Sequence, residues 1–156
     1  MIVTFCGHAD FAEQERCFPI LIYLFEQKIG DAPVDFYLGG YGNFDAFANA
    51  CCKKYQETHP QVKRIFVTPY ITAAYQEKHL KPASEQYDAT VYLPIENAPL
   101  KFAISHRNRK MVEQADWVVT YVSRSYGGAY QAYRHAKHLN KDIDNLAEKT
   151  KDECLI

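Results

Sequence analysis

The sequence lacks an uninterrupted apolar run of the roughly 18 to 20 residues that a membrane-spanning helix needs. Its first segment, MIVTFCGHADF, has no charged start, no long apolar core and no small-residue cleavage site of the kind that marks a secretory signal. Both absences argue against a membrane protein and an exported one. We therefore expect a cytoplasmic protein without a membrane partner.

An excess of charge is also lacking, because 18 Lys and Arg residues face 19 Asp and Glu residues and give a formal net charge of −1. The sequence pI is about 6.6. A chain without a broad basic field is poorly suited to nonspecific capture of a nucleic-acid backbone. The charge balance therefore favours a small-molecule ligand and disfavours nucleic acid as a partner.

Metal-binding and disulfide patterns are missing as well. The chain has five cysteines: Cys6, Cys17, Cys51, Cys52 and Cys154. Their odd number and the lack of CxxC spacing favour reduced thiols in a cytosol. His135 and His138 lie three residues apart, but lysines nearby favour an exposed polar helix face over a metal pair. We expect no metal site and no required cofactor, whereas a nucleotide ligand fits the loops described below.

Apolar runs alternate with helical patterns along the chain, which is long enough for one domain with a substantial core. Strands are predicted at 1–6, 34–38, 62–68, 90–93, 117–122 and 142–146. Helices are predicted at 13–29, 43–58, 99–115 and 128–139. In the first, Pro19 indicates either that the regular helix starts near Phe18 or that the preceding turn is coiled separately, because proline suits a first turn. Asn43 is the predicted N-cap of the second.

This alternation predicts right-handed βαβ units and a parallel sheet covered by helices on both faces. The expected fold is a single Rossmann-like three-layer α/β/α domain with a mostly parallel sheet of five to six strands. The stretch Pro69–Pro99 breaks the pattern, since it holds four of the seven prolines, and is typical of a mobile lid or a variable loop.

Glycines cluster after the second predicted strand, in the sequence LGGYGNFDAFA at 38–48. Asp45 stands where a GxGxxG fingerprint needs its third glycine, and no Walker motif occurs. A tight strand-to-helix turn is one interpretation. The other is a ribose site, since Asp45 would repel a phosphate but accept hydrogen bonds from hydroxyls. Its candidate residues are Gly39, Gly40, Gly42, Asn43 and Asp45.

A second glycine loop, SRSYGGAY at 123–130, has the opposite electrostatics, because it carries a cation and hydroxyls but no acid. It opens a predicted helix whose unpaired N–H groups and positive dipole end favour an anion. An ordinary turn explains its Gly-Gly pair equally well. The candidate phosphate-binding residues are Arg124, Gly127, Gly128 and Ala129.

Two other segments contribute candidates. Gly7 and His8 follow the first predicted strand, where His8 could contact a base or phosphate or cap the next turn. The helix containing HRNRKM offers Arg107 to a phosphate and Asn108 to a ligand, although charge counting alone favours a solvated face. Ligands of parallel sheets bind outside the carboxyl ends of the strands. No catalytic residue is assigned, because no nucleophile pattern stands out.

Four pieces of the sequence carry a family resemblance: TFCGHADF, FYLGGYGNFDAFA, YDATVYLP and KFAISHRNRKMVEQADWVVTYVSRSYGGAYQAYRHAK. Together they resemble the SLOG superfamily, which unites DprA DNA-processing proteins and LOG phosphoribohydrolases, and are most similar to its short YpsA-like branch. The resemblance implies a Rossmann-like nucleotide-binding domain at 1–147 with a tail at 148–156, in a superfamily whose members are often homodimers.

The LOG enzymes carry RKxxM followed by PGGxGTxxE, and the arginine and final glutamate are linked to cleaving a base from a ribose 5′-monophosphate. Here Gly127 and Gly128 match the glycine pair, and Arg107 or Arg109 matches the arginine. No carboxylate stands on the last helix, and YpsA-like members generally lack this glutamate too.

The functional prediction is a protein that binds a nucleotide or a nucleotide-derived ligand such as a nucleotide sugar or an ADP-ribose-like molecule. The alternative is a nucleotide hydrolase of the LOG-like phosphoribohydrolase type. Because N-glycosidic hydrolysis needs a group that activates water, the alternative requires a carboxylate from elsewhere, and Asp45 and Glu113 are the candidates.

Overall fold

The apolar run at the N-terminus forms a central strand of a parallel sheet, as expected for a strand covered on both faces. The computed structural model describes residues 1–68, 86–92 and 102–153 of the protein. Within them the strands are β1 (Ile2–Gly7), β2 (Val34–Leu38), β3 (Val62–Thr68), β4 (Ala89–Tyr92), β5 (Trp117–Tyr121) and β6 (Asp142–Asn145). The described helices are α1 (Gln14–Lys28), α2 (Asn43–Gln56), α3 (Ala103–Gln114), α4 (Gly128–His138) and α5 (Leu146–Glu153).

The six strands are ordered β4-β3-β2-β1-β5-β6, and each neighbouring pair is parallel. One core cluster joins α1, α2 and α5 to one face of the sheet through side chains such as Leu21, Phe44 and Leu146. A second joins α3 and α4 to the other face through Val112 and Ala132. The predicted Rossmann-like three-layer fold is therefore confirmed, and the sheet is wholly parallel.

The start of α1 was predicted wrongly. The helix begins at Gln14, so Pro19 lies inside it instead of in its first turn. An interior proline costs about 3 kcal/mol, but the same helix buries Leu21 and Phe25 completely, and burial of each such side chain stabilises by roughly 1.5 to 3 kcal/mol. Packing of the apolar face therefore outweighs the proline.

The predicted N-cap of α2 was also wrong. Gly42 occupies the cap position, with φ 89° and ψ 175°, and Asn43 is the first helical residue. The Asn43 side chain instead donates a hydrogen bond to the Phe11 carbonyl at 3.2 Å, and its backbone N–H donates to Ala9 at 2.9 Å. Asn43 thus fastens the start of α2 to the loop after β1.

The remaining predicted boundaries agree with the structure to within a few residues, and residues 148–153 continue the helix that begins at Leu146. Most of Pro69–Pro99 lies outside the described residues, as do Leu93 and Cys154. The four described cysteines are buried, and none forms a disulfide. No described helix is both long and apolar enough to cross a membrane.

Candidate functional site

The carboxyl ends of β1, β2 and β5 lie along one edge of the sheet, because the parallel register places Gly7 beside Tyr121 and Thr4 beside Tyr37. The strand order reverses between β1 and β5, which is the position where open α/β sheets bind ligands. A cavity of about 220 Å³ opens at this edge. We call it the cleft.

Nine of the thirteen predicted site residues line the cleft, namely Gly7, His8, Asp45, Arg107, Asn108, Arg124, Gly127, Gly128 and Ala129. The other four do not line it: Gly39, Gly40 and Gly42 lie in the loop before α2, and Asn43 is the first residue of that helix. Five lining residues were not among the predicted ones, namely Phe5, Cys6, Ala9, Tyr41 and Ile104. Tyr41 could have been included from its place between two candidate glycines, whereas Ile104 gives no such signal.

The turn before α4, where a phosphate was predicted, lies at one end of the cleft. Gly127 caps this helix with φ 92° and ψ 176°, which is almost the same backbone conformation as Gly42 before α2. A left-handed φ of this kind favours glycine. Gly128 opens α4 in the same cleft, and an added Cβ there would meet no atom within 4 Å. The first turn of α4 therefore presents accessible backbone N–H groups to an incoming anion.

Arg124 stands beside this turn, but its guanidinium group already holds a carboxylate. Two of its nitrogens donate to the Asp10 oxygens at 3.0 and 3.1 Å, and its centre lies 5.2 Å from the Tyr126 ring. The hydrogen bonds from Arg124 lower the pKa of Asp10. A phosphate that enters the cleft therefore competes with Asp10 for Arg124.

Arg107 is 2% exposed and links three elements of the site. Its Nη1 donates to the carbonyl of Gly39 at 2.7 Å and to that of Val67 at 3.3 Å, and its Nε donates to Asn108 at 3.2 Å. A Cβ at Gly39 would lie 2.9 Å from Arg107 Nη2 and 3.0 Å from Asp45 Oδ2. A side chain at position 39 would therefore displace the Arg107 guanidinium and the Asp45 carboxyl from the end of β2.

Asp45 lies at the opposite wall of the cleft from α4, since it belongs to the first turn of α2 on the other face of the sheet. Its Oδ2 accepts a hydrogen bond from the Tyr41 N–H at 2.9 Å. Burial raises the pKa of this carboxyl to about 6, against the opposing effects of the Tyr41 hydrogen bond and the Arg107 charge. Asp45 is the one carboxyl group among the described residues that line the cleft.

His8 connects the loop after β1 with the loop after β5. Its Nε2 accepts a hydrogen bond from the backbone N–H of Ser123 at 3.0 Å, so the proton of the neutral ring lies on Nδ1. Burial lowers the pKa of His8, and the nearby Arg124 charge lowers it further. His8 is 4% exposed, and its uncharged ring connects the two loops at the cleft through this hydrogen bond.

Glu113, the other carboxylate considered for catalysis, lies away from the cleft. It contacts Lys110 and His135, each at 3.2 Å. Burial alone would raise the pKa of Glu113, but the hydrogen bonds from these two partners lower it overall. In the described part of the chain, no group of three metal-binding side chains is placed to hold an ion.

Comparison of the chain with known proteins identifies similar folds. No protein-family model matches the chain, and no curated protein matches its sequence. DNA processing protein A (DprA) from Streptococcus pneumoniae is similar in structure, with a TM-score of 0.63 and 16% identity over 90% of this chain and 48% of that one. DprA from Helicobacter pylori gives a TM-score of 0.59 and 15% identity over 92% of this chain and 63% of that one.

These likenesses show the Rossmann-like fold alone, and the chain spans about half to two thirds of the length of the two DprA chains. The H. pylori protein is described by its single-stranded DNA binding mode. The prediction that disfavoured nucleic acid is therefore wrong: net charge averages over the whole surface, whereas nucleic acid contacts a local one. The assignment to the YpsA-like branch stays a prediction.

Proposed function

We propose that the protein binds one nucleotide unit in the cleft, with the phosphate at the N-terminus of α4 and the ribose directed toward Asp45. The observation that carries this proposal is the meeting of an N–H-rich, cationic end and a carboxyl-bearing end in one cavity of about 220 Å³. A ribose phosphate has the matching polarity, because its anion and its hydroxyl donors lie at opposite ends.

The size of the cleft limits the ligand. Sites for drug-sized molecules commonly enclose roughly 300 to 1,000 Å³, so a cavity of about 220 Å³ suits the ribose phosphate part of a nucleotide and leaves the base near the mouth. Tyr41, which is 61% exposed, lines the cleft there. Its ring offers a face on which a base of any identity can stack.

The proposed phosphate position can be tested at Gly128. The change Gly128→Asp puts a carboxylate at the anion site, and we expect titration calorimetry with nucleoside monophosphates to show loss of binding. The change Gly128→Ala is the matched control, because its methyl group meets no atom within 4 Å. Unchanged affinity in Gly128→Asp, with folding confirmed by circular dichroism, would show that the anion binds elsewhere.

The nucleotide unit can be part of a strand as well as a free ligand. A fold-level neighbour is described by its single-stranded DNA binding mode. Every nucleotide of a strand carries the phosphate and the base that the cleft would hold, and each RNA nucleotide also keeps a 2′-hydroxyl that can donate to Asp45. A base stacked on Tyr41 at the mouth is also compatible with continuation of the chain outside the cleft. Free nucleotides and short single strands therefore both belong in the binding experiments.

A second candidate function is hydrolysis of the N-glycosidic bond of a bound nucleotide. The observation that favours it is Asp45, a carboxyl group with a pKa of about 6 in the same cavity as the proposed phosphate site. Near pH 7 it is mainly ionised and can accept a proton from water. Water would then add its oxygen to C1′ of the ribose, while the released base takes up the proton.

Chromatography of AMP, CMP, ADP-ribose and NAD after incubation with the protein tests this candidate. Release of base above the blank that disappears in Asp45→Asn would support hydrolysis. Retained binding without base release, in both wild type and variant, would leave ligand binding as the function of the cleft.

A further inference from the structure

A second cavity lies next to the cleft, between α3 and α4. It has a volume of about 510 Å³ and shares two lining residues, Asn108 and Gly128, with the cleft. We call it the basic groove and define it by Ser105, His106 and Arg109 on α3 and by Gln131, Arg134 and His138 on α4. The two cavities are therefore direct neighbours on the surface, with Asn108 and Gly128 between them.

The groove carries a local charge that the net charge of −1 conceals. Two arginines and three histidines line it, the third histidine being His135, and none of its described lining residues is acidic. Glu113, which contacts the lining residue His135 at 3.2 Å, is also engaged by Lys110. Arg109 and Arg134 are exposed, so both guanidinium groups are accessible to an anion.

We propose that the basic groove holds the backbone phosphates of a single-stranded nucleic acid, one nucleotide of which occupies the cleft. This inference rests on the proposed function of the cleft and extends it to the neighbouring nucleotides. The groove has more than twice the volume of the cleft, so it has room for more than one further nucleotide unit.

The side chains suit a strand in two ways. Arginines contact phosphates through several N–H groups in one plane, and serine and glutamine side chains also bond phosphate and sugar oxygens. Phe102, which is 48% exposed, borders the groove, and the Arg134 guanidinium lies 5.8 Å from the Tyr130 ring. A cationic groove bordered by an exposed aromatic ring combines the two features by which proteins bind single strands without strong sequence preference.

A second copy of this chain is a poorer occupant. A two-fold interface places the same patch of both copies face to face, so Arg109 and Arg134 would meet the same charges of the partner. The centres of protein interfaces are also depleted of charged residues. The charge of the groove therefore favours a polyanion.

The test compares uridine monophosphate with an oligouridylate of roughly ten nucleotides, which keep the ribose hydroxyl directed at Asp45 and have a length within the range that single-strand binding modules cover. Calorimetry measures the monophosphate, and fluorescence anisotropy measures the labelled strand at several salt concentrations. The variant is Arg109→Glu/Arg134→Glu. Its matched control is Lys53→Glu/Lys63→Glu, which makes the same change in net charge at exposed positions outside both cavities.

We expect wild type to bind the strand more tightly than the monophosphate. The groove variant should lose about ten-fold or more of its strand affinity and about one unit of salt slope per arginine, with monophosphate affinity nearly unchanged. Equal losses in the control, no gain with strand length, or a change in sedimentation instead of affinity would each overturn the groove assignment. Failure of wild type to bind monophosphate would refute the cleft assignment alone, because the strand titration still reports on the groove.

Discussion

His8 and Ser123 are joined by a hydrogen bond of 3.0 Å that connects the loop after β1 to the loop after β5. The ring nitrogen is the acceptor, so the bond exists only while that nitrogen carries no proton. Asp10 and Arg124 join the same two loops through an ion pair. One wall of the cleft is thus held by one neutral and one ionic contact.

The neutral contact makes stability depend on pH. The pKa of His8 is lowered from 6.5 in the folded protein, so the unfolded chain takes up a proton more readily. The stability that neutral His8 contributes is complete above pH 6.5 and falls as the pH decreases through 6.5 toward the lower folded pKa. We expect wild type to lose stability relative to His8→Gln over this window, since glutamine accepts the same hydrogen bond without titrating.

Urea unfolding of both proteins at a series of pH values measures this difference. The comparison cancels the titration of the other histidines and of Asp45, which both proteins share. A difference in unfolding free energy that is constant with pH would mean that His8 titrates alike in folded and unfolded chains.

The ion pair between Asp10 and Arg124 competes with the proposed ligand for the Arg124 guanidinium. Asp10 holds Arg124 by two hydrogen bonds at the surface, where such pairs add little to stability. The change Asp10→Asn removes a negative charge beside the anion site and frees Arg124. We expect nucleoside monophosphates to bind a few-fold more tightly, most clearly at low salt, with the unfolding midpoint almost unchanged.

Calorimetry at two salt concentrations checks the prediction. The variant Arg124→Gln is measured beside it, because it removes the cation of the pair instead of the carboxylate. If Asp10→Asn weakens binding, the ion pair shapes the cleft for the ligand and does not compete with it. If both variants bind as wild type does, Arg124 takes no part in recognition.

Most of the fold could be predicted because its signals are local. β1 and β5 are continuous apolar runs, and parallel strands alternate with helices whose apolar faces repeat at helical spacing. The errors came where packing overrides propensity. Pro19 lies inside α1 because the buried face of that helix stabilises more than the proline costs, and Gly42 displaced Asn43 as the cap of α2 because the turn needs a left-handed φ.

The sequence brought forward most of the residues that line the cleft, but not the contacts that those residues make. Arg107 could be read from the sequence as a cation near a ligand, but its bonds to the carbonyls of Gly39 and Val67 depend on three elements that are distant in sequence. The partnership of Asp10 with Arg124 spans 114 residues. Such pairings follow from the strand order, which a single sequence does not display.

A third prediction concerns the ion pairs that Lys28 forms with Asp142 and Asp144. Asp144 is 14% exposed at its side chain and accepts hydrogen bonds from Lys28 at 2.6 Å and from Trp117 at 2.8 Å. We expect Asp144→Asn to lower the free energy of unfolding by about 1 to 3 kcal/mol, because it weakens two partly buried contacts to a charge. Asp142 also contacts Lys28 but is 57% exposed, so Asp142→Asn should cost less than about 1 kcal/mol. Equal effects in urea unfolding would contradict this ranking.

The last prediction uses the raised pKa of Asp45. Because this carboxyl has a pKa of about 6 in the folded protein against 3.8 ordinarily, the folded state binds its proton first as the pH falls. Stability linked to Asp45 therefore rises between about pH 6 and pH 4, opposite in sign to the effect of His8. At about 1.4 kcal/mol per pKa unit, wild type should gain up to about 3 kcal/mol over Asp45→Asn in this window. A bound ribose that donates a hydrogen bond to the ionised carboxyl should lower the pKa of Asp45. The gain in unfolding free energy over Asp45→Asn should then be smaller. If saturating nucleoside monophosphate leaves the pH profile of the difference unchanged, the ribose does not contact Asp45.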